Sequence, residues 1–387
     1  MTDRNIPSSS EEPVFTSSTD KMILEEPNSS LKTSETMIAA KAPRGVIHRR
    51  INRRVRYFRP IIMIFCLAMA FPILLNAQLT GFATLNAGYT DNVFQLSDYD
   101  MGRFDRDSST LAYVETSDDA SLNARVELGY PISYRWWKFT PKLGGSIAQN
   151  ISNSDKYRRD AYAALSIDRY YWDLDMKYTY SPYIYYRHFN DSDGTDDLEK
   201  YSYSRNQYDL SGSYHPLKSL SVKGRLSLQD LYYNEFFTEA DGRASTYELG
   251  AAYRFPIFTL DAAYGYKEFD NDTPAGEDDS SYDSNIYKAK LTLQRMPLSD
   301  TGTTTWQPYL GINYEQRYFQ GTGNLYNARA DYIYNLSTGF GFRFSPTWNL
   351  SLDYTHIFRN VESSSSEVLR LKEFSENRLS TTLRYNF

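Results

Sequence analysis

The chain has 387 residues, 41% of them apolar, with 35 tyrosines, 21 phenylalanines, one cysteine and a net charge of −6. Tyrosine at that level suits strands whose side chains have an apolar body and a polar tip, and no heptad pattern or long amphipathic helical stretch competes, so an all-β fold is expected over a helical one. The acidic balance argues against a nucleic-acid partner held by a basic face.

Residues 1 to 45, rich in Ser, Glu, Thr and Pro, read as a disordered extension, or else the reading frame begins at Met22 or Met37. Residues 46 to 77 follow, with the basic run "HRRINRRVRYFR", the apolar run "PIIMIFCLAMAFPILLNA" and a small residue, Ala77. That order is a secretory signal with cleavage expected between Ala77 and Gln78; an uncleaved membrane anchor is the alternative. Cleavage removes Cys66 and with it any disulfide or thiol chemistry. Residues 78 to 387 keep 31 basic and 41 acidic side chains, a net near −10.

From Leu79 onward, alternating runs of about ten residues recur between turns. In "SLNARVELGY", Leu122, Ala124, Val126 and Leu128 share one face while Asn123, Arg125 and Glu127 share the other. The same division places Lys223 and Arg225 on the polar face of "LSVKGRLSLQ", and Lys288 and Lys290 on that of "YKAKLTLQ". A soluble sandwich would alternate likewise, so the connections decide. Short turns carrying Pro or aromatic residues, such as "YHPLKS" and "FSPTWN", alternate with long polar loops such as "FNDSDGTDDLEK". Short turns on one side and long loops on the other are what an outer-membrane barrel requires.

Strands are predicted near 79–95, 120–134, 138–150, 159–171, 172–188, 200–215, 220–236, 244–255, 258–270, 284–296, 305–320, 326–344, 348–361 and 374–387. The expected fold is a transmembrane antiparallel up-and-down β-barrel of about 14 strands over 78–387, with 12 to 16 possible, six short turns and seven longer loops. Its first and last strands must pair, because an open edge inside a bilayer leaves backbone groups unsatisfied. The terminal "LSTTLRYNF" therefore belongs to the final strand. Leu383, Tyr385 and Phe387 resemble the C-terminal signal that bacterial outer-membrane proteins present to their assembly machinery.

The first strand, "LNAGYTDNVFQLSD", carries Gly88, Tyr89, Asp91, Asn92, Val93 and Phe94, and resembles the opening strand of the β-barrel porin 2 and exopolysaccharide-associated outer-membrane barrels. Thr90 departs from the acidic residue that family favours. The plainer alternative is a strand running into a turn. The resemblance implies a porin-like barrel of the Gram-negative outer membrane, embedded among lipid and lipopolysaccharide, passing small or oligomeric polar solutes and linked to exopolysaccharide export.

If the polar faces point inward, Arg125, Lys223, Arg225, Lys288, Lys290, Arg329 and Arg343 line the lumen among Glu127, Asp209, Glu248 and Asp261. Rings of basic side chains favour anions; the alternative is that they pair with the nearby carboxylates and stabilise the wall. No segment is long enough to serve as an N-terminal plug, so any constriction must come from side chains or from inward-folded loops.

Other chemistry has little footing. The acidic loops at Asp191–Glu199 and Asp270–Asp279 fail the spacing of a calcium-binding hand. His188, near Asp191 and Asp193, is the one arrangement resembling an acid-base site. No enzyme, metal or cofactor is expected. A closed barrel acting through its loops is the alternative to a channel.

Overall fold

The computed structural model describes residues 79–107, 111, 113–190, 198–273, 279–298, 304–323 and 325–387. The extension, the signal segment and much of both acidic loops lie outside them.

Fourteen long strands form one closed antiparallel sheet: β1 (Thr80–Thr90), β2 (Asp119–Gly129), β4 (Trp137–Asn150), β5 (Tyr157–Arg169), β6 (Trp172–Asn190), β7 (Leu198–Leu217), β8 (Leu220–Tyr233), β9 (Gly242–Arg254), β10 (Phe258–Asn271), β11 (Tyr282–Leu293), β13 (Thr305–Phe319), β14 (Ala330–Arg343), β15 (Trp348–Glu362) and β16 (Phe374–Asn386). Two short pieces, β3 (Ile132–Tyr134) and β12 (Met296–Pro297), extend the ladder at the turn end, on β4 and β13. Pro131 separates β2 from β3, since it has no N–H to give the ladder.

Each strand pairs with its sequence neighbours, and the ring closes where β1 meets β16, with Leu85 opposite Leu383 and Tyr89 opposite Leu379. Phe387 closes the last rung through backbone bonds with Gly81. Six connections lie at the end that carries both termini of the barrel, and seven at the other, as the sequence predicts. Among the predicted bounds that shift, two have a clear local cause. The first strand stops at Thr90 rather than running to residue 95, because Asn92 folds the chain into a turn: its carboxamide accepts from Leu96 N–H at 2.7 Å and donates to the Leu96 carbonyl at 2.8 Å. The fourteenth element of the ladder, β14, starts at Ala330 rather than 326 because residues 326–329 form the preceding turn.

The faces sort as alternation demands. Leu122, Val126, Leu249 and Leu310 are exposed on the outside, Leu249 at 66%. Opposite partners in an antiparallel ladder share a face, so an outward aromatic row forms across five strands: Tyr264, Tyr287, Tyr314, Tyr334 and Phe358, with successive ring centroids 5.5, 6.0, 4.5 and 4.6 Å apart. A second aromatic group, Tyr134, Trp136, Tyr170 and Tyr171, is exposed at the turn end. Among the described residues, two buried apolar clusters are found, both inside the loop end: Val93, Phe94, Leu96, Val114 and Tyr185 on one side, Ile333, Ile357 and Phe374 on the other.

Candidate functional site: the lumen and its loop-side constriction

The lumen wall is built by the inward half of every strand. Lys223 on β8 reaches across β9 to Asp261 on β10. Lys288 on β11 reaches across β10 to Glu248 on β9, with Nζ 2.5 Å from Oε1. Both pairs span a strand whose inward residues are small, Gly250 and Ala252 in the first case and Ala263 and Gly265 in the second. Arg225 meets Asp209 at 2.7 Å, and these groups surround a wall cavity of about 340 Å³. Lys290 has its ammonium 4.1 Å from the Tyr309 ring centre. Arg125 donates to the Tyr162 hydroxyl at 3.0 and 3.1 Å and to Glu127 at 3.3 Å, and the hydroxyl in turn donates to Glu127 at 2.7 Å. Gly144 lets Tyr162 lie there: a Cβ would stand 2.2 Å from the phenol. Arg343 lies at the turn-side mouth, its Nε donating to the Ser345 carbonyl at 3.4 Å.

Toward the loop end the lumen narrows. Arg329 forms a two-bonded pair with Asp331, both bonds 2.7 Å, with Asp331 wholly buried. Arg359 approaches the same carboxylate at 3.8 Å. Arg317 pairs with Glu315 at 2.7 Å, and Arg378 with the buried Glu376 at 2.5 Å. A buried carboxylate needs such partners to stay ionised.

The first loop completes the narrowing. Val93, Phe94 and Leu96 turn into the mouth; Phe94, 1% exposed, packs edge-on against Tyr113 and Tyr185 at 5.8 and 6.3 Å. The Lys156 ammonium donates to the Val93 carbonyl at 2.8 Å and sits 4.6 Å from the Phe94 ring centre. Gln95 donates to Glu376 at 3.2 Å. Below the loop lies a cavity of about 430 Å³, bounded by Val93, Lys156 and Tyr185 on one side and Asp353, Thr355 and Arg378 on the other. Helices α1 (Asp98–Arg106) and α2 (Ser366–Lys372), from the first and last loops, pack against each other above it, with the Arg370 guanidinium 4.0 Å over the Tyr99 ring.

Of the six motif residues, Asp91 and Asn92 form a clasp across the seam, and the others fasten the first strand and loop to their neighbours. Tyr89 donates to Asp118 at 3.0 Å; Asp91 accepts from Asn377 N–H and its carboxamide at 2.7 and 2.6 Å; Asn92 donates to the Ser375 carbonyl at 2.9 Å. Gly88 faces inward, where a Cβ would meet Ser121 Oγ at 2.9 Å, and Val93 and Phe94 supply the apolar cluster. His188 shares a 2.7 Å hydrogen bond with the Tyr185 hydroxyl and stacks on Tyr113. Asp191 and Asp193 lie outside the described residues.

Five cations of the narrow zone are absent from the sequence reading: Arg317 and Arg359, which meet carboxylates, and Arg187, Lys156 and Lys372. Arg187 is 9% exposed and its Nε has no partner. Arg187 on β6 and Arg359 on β15 stand six strands apart in a ring of fourteen, on nearly opposite walls. Tyr186 lies within the electrostatic reach of both and of Lys372. Burial, reinforced by Arg187 and Arg329, brings the Lys372 ammonium down to about 8 from 10.5. Burial does the same to Lys156, also to about 8, with Arg187 and Arg378 adding to it.

No family model matches the chain, and no curated protein matches it. Solved structures that resemble it in fold are barrels. The anion-selective porin of Comamonas acidovorans is 10% identical, with 81% of this chain and 99% of that one covered and a TM-score of 0.42. The TodX monoaromatic hydrocarbon channel is 9% identical over 80% and 90%, with a TM-score of 0.45. OpdK of Pseudomonas aeruginosa, solved with vanillate, is 10% identical over 80% and 99%, with a TM-score of 0.38. At that distance they carry no functional argument, which rests on the geometry.

Proposed function

We propose that the protein is a porin-like channel of the Gram-negative outer membrane, passing small or oligomeric polar solutes. The observation that carries this is the inversion of the two faces: leucines such as Leu122 and Leu249 outside, and ion pairs such as Lys223–Asp261 and Arg225–Asp209 inside a closed ring. A soluble protein would bury the first set and expose the second; lipid outside and water inside reverse that. The exposed aromatic group at the turn end suits one interface of a barrel embedded among lipid and lipopolysaccharide. The terminal Leu383, Tyr385 and Phe387, all on the outward face of β16, suit recognition by the barrel assembly machinery. A role beside exopolysaccharide export draws only on the likeness of the first strand.

Transport is favoured over catalysis because His188 is engaged by Tyr185 and Tyr113, with no carboxylate paired to it among the described residues. A second reading has its own observation. The inward loop that buries Phe94 and Leu96 would suit a barrel that is closed at rest and works through its loops.

Single-channel recording of residues 78–387 refolded into a planar bilayer separates the two. Stable open steps are expected for a channel. A folded barrel that stays silent would sink that reading and favour the closed one.

A further inference from the structure

The loop-side constriction holds more positive charge than its carboxylates answer. Asp331 takes Arg329 and Arg359, Glu315 takes Arg317, and Glu376 takes Arg378. Arg187, Lys156 and Lys372 have no carboxylate within 4 Å among the described residues. Arg187 is the most telling of them. Arg187 is 91% buried, yet no carboxylate pairs with it among the described residues: Nη2 donates to the Tyr186 hydroxyl at 3.3 Å, Tyr113 and Asp100 lie within its electrostatic reach, and Nε donates to nothing. A buried cation with no carboxylate paired to it is costly, and a guanidinium offers a planar fork of donors that matches an oxyanion. Lys372, from α2, and Lys156, from the loop between β4 and β5, both fall within the electrostatic reach of Arg187. The three come from separate parts of the chain and converge on one region of the mouth.

We propose that the space between Arg187, Lys372 and Lys156 binds an oxyanion, the carboxylate or phosphate group of a solute entering from the loop side. Arg187 supplies its guanidinium, and the two ammonium groups supply charge from the rim. Tyr186 holds the guanidinium in place, with its ring centre 4.9 Å from Cζ. The proposal deepens the channel reading by giving the solute a charge, and it locates the site above the paired residues Lys223, Arg225 and Lys288 rather than among them.

The test is titration calorimetry on the full chain folded in detergent micelles, with sodium phosphate and sodium acetate as probes, glycerol as a neutral control, and sodium chloride held constant. Saturable binding of phosphate or acetate, but not glycerol, is expected, weakened at least tenfold by Arg187→Gln and by Lys372→Gln. Lys218→Gln, on an exposed turn at the other end, should leave it unchanged. Lys372→Gln, at the end of a surface helix, keeps the test alive if Arg187→Gln does not fold. Acetate alone binding assigns a carboxylate, and phosphate alone a phosphate. Folded wild-type protein that binds neither, or binding indifferent to both substitutions, overturns the proposal. Binding by a barrel silent in a bilayer would sustain the site and sink the channel reading; conductance without binding would do the reverse.

Discussion

Gly81 and Phe387 exchange two backbone hydrogen bonds across the seam of the barrel: Gly81 N–H donates to the Phe387 carbonyl at 2.9 Å, and Phe387 N–H donates to the Gly81 carbonyl at 3.1 Å. Deleting Phe387 removes both, together with an outward aromatic side chain. At about 0.5–1.5 kcal/mol per bond, the expected loss is about 1–3 kcal/mol, read as a lower urea midpoint for the compact, heat-modifiable form in electrophoresis. Gly81→Val is expected to act in the same direction, because a Cβ there would stand 2.3 Å from the Glu127 carbonyl oxygen. A midpoint unchanged in both variants would show that the seam does not limit stability.

The pairing of Lys223 with Asp261 and of Lys288 with Glu248 makes a signed prediction. Neutralising both lysines leaves two carboxylates facing the lumen, so the reversal potential in a salt gradient moves toward cation preference. Asp261→Asn with Glu248→Gln moves it toward anions. Neutralising all four together should leave it near the wild-type value, whereas a fixed anion filter at these lysines would show the quadruple variant behaving like the lysine variant.

Phe94 is expected to set the width of the mouth. Phe94→Ala empties the contact with Tyr113 and Tyr185, and loss of a buried aromatic typically costs about 3–5 kcal/mol, here charged to the folded-in loop rather than to the sheet. Single-channel conductance should rise while the urea midpoint of the barrel barely moves. An unaltered conductance would mean that the current passes elsewhere.

Anion preference should fall as the pH is raised through about 8. The ammonium groups of Lys372, facing Arg187, Arg329, Arg359 and Tyr186, and of Lys156, facing Arg187, Arg378, Glu376 and Tyr186, are both held down to about 8. Below that value they are charged and attract anions; above it they are neutral. The linkage to stability has the opposite sense: the folded form prefers these amines neutral, so their burden is full below about 8 and is relieved between about 8 and 10.5. Reversal potentials at pH 6.5, 8 and 9.5 check the first effect, with Lys372→Met expected to flatten the profile.

The outward face can be tested independently of transport. Leu249 lies mid-strand on the outside, and arginine at the middle of a lipid-facing strand costs about 2–4 kcal/mol. Leu249→Arg should lower the unfolding midpoint in lipid vesicles by that amount, and Gln229→Arg, on the inward face, by far less. Equal costs would contradict the assignment of the faces.

The fourteen strands and their inner and outer faces are legible in the sequence because β-alternation is a local property: Leu122, Val126 and Leu128 declare their side without knowing their partners. The ion pairs are half legible, since alternation places Lys223 and Asp261 on one face but says nothing of their reach across Gly250. The constriction is the part that alternation hides. In β6 the register with β7 shifts between Ser181 and Ile184 and again between Tyr185 and Arg187, around Pro182, which has no N–H for the ladder. The two bulges cancel, so Arg187 keeps the inward parity of Lys177 and Ser181; what alternation cannot show is that it stands buried beside Tyr186 at the mouth. Lys156 lies in a loop and Lys372 ends the short helix α2, where strand alternation gives no guide. Asn92, by contrast, announces its turn in its residue type, although the bond from its carboxamide to Ser375, 283 positions away, has no local signal.

That clasp fixes an order of events. Asp91 and Asn92 can find Asn377 and Ser375 only after the last strand has docked beside the first, so the loop that carries Phe94, held on one side by Lys156 and Tyr185, gains its second anchorage only when the ring is complete. A barrel caught with its final strand unplaced is therefore also a barrel whose inward loop is fastened on one side only. The same few side chains that narrow the finished pore would serve as proof that it has been finished.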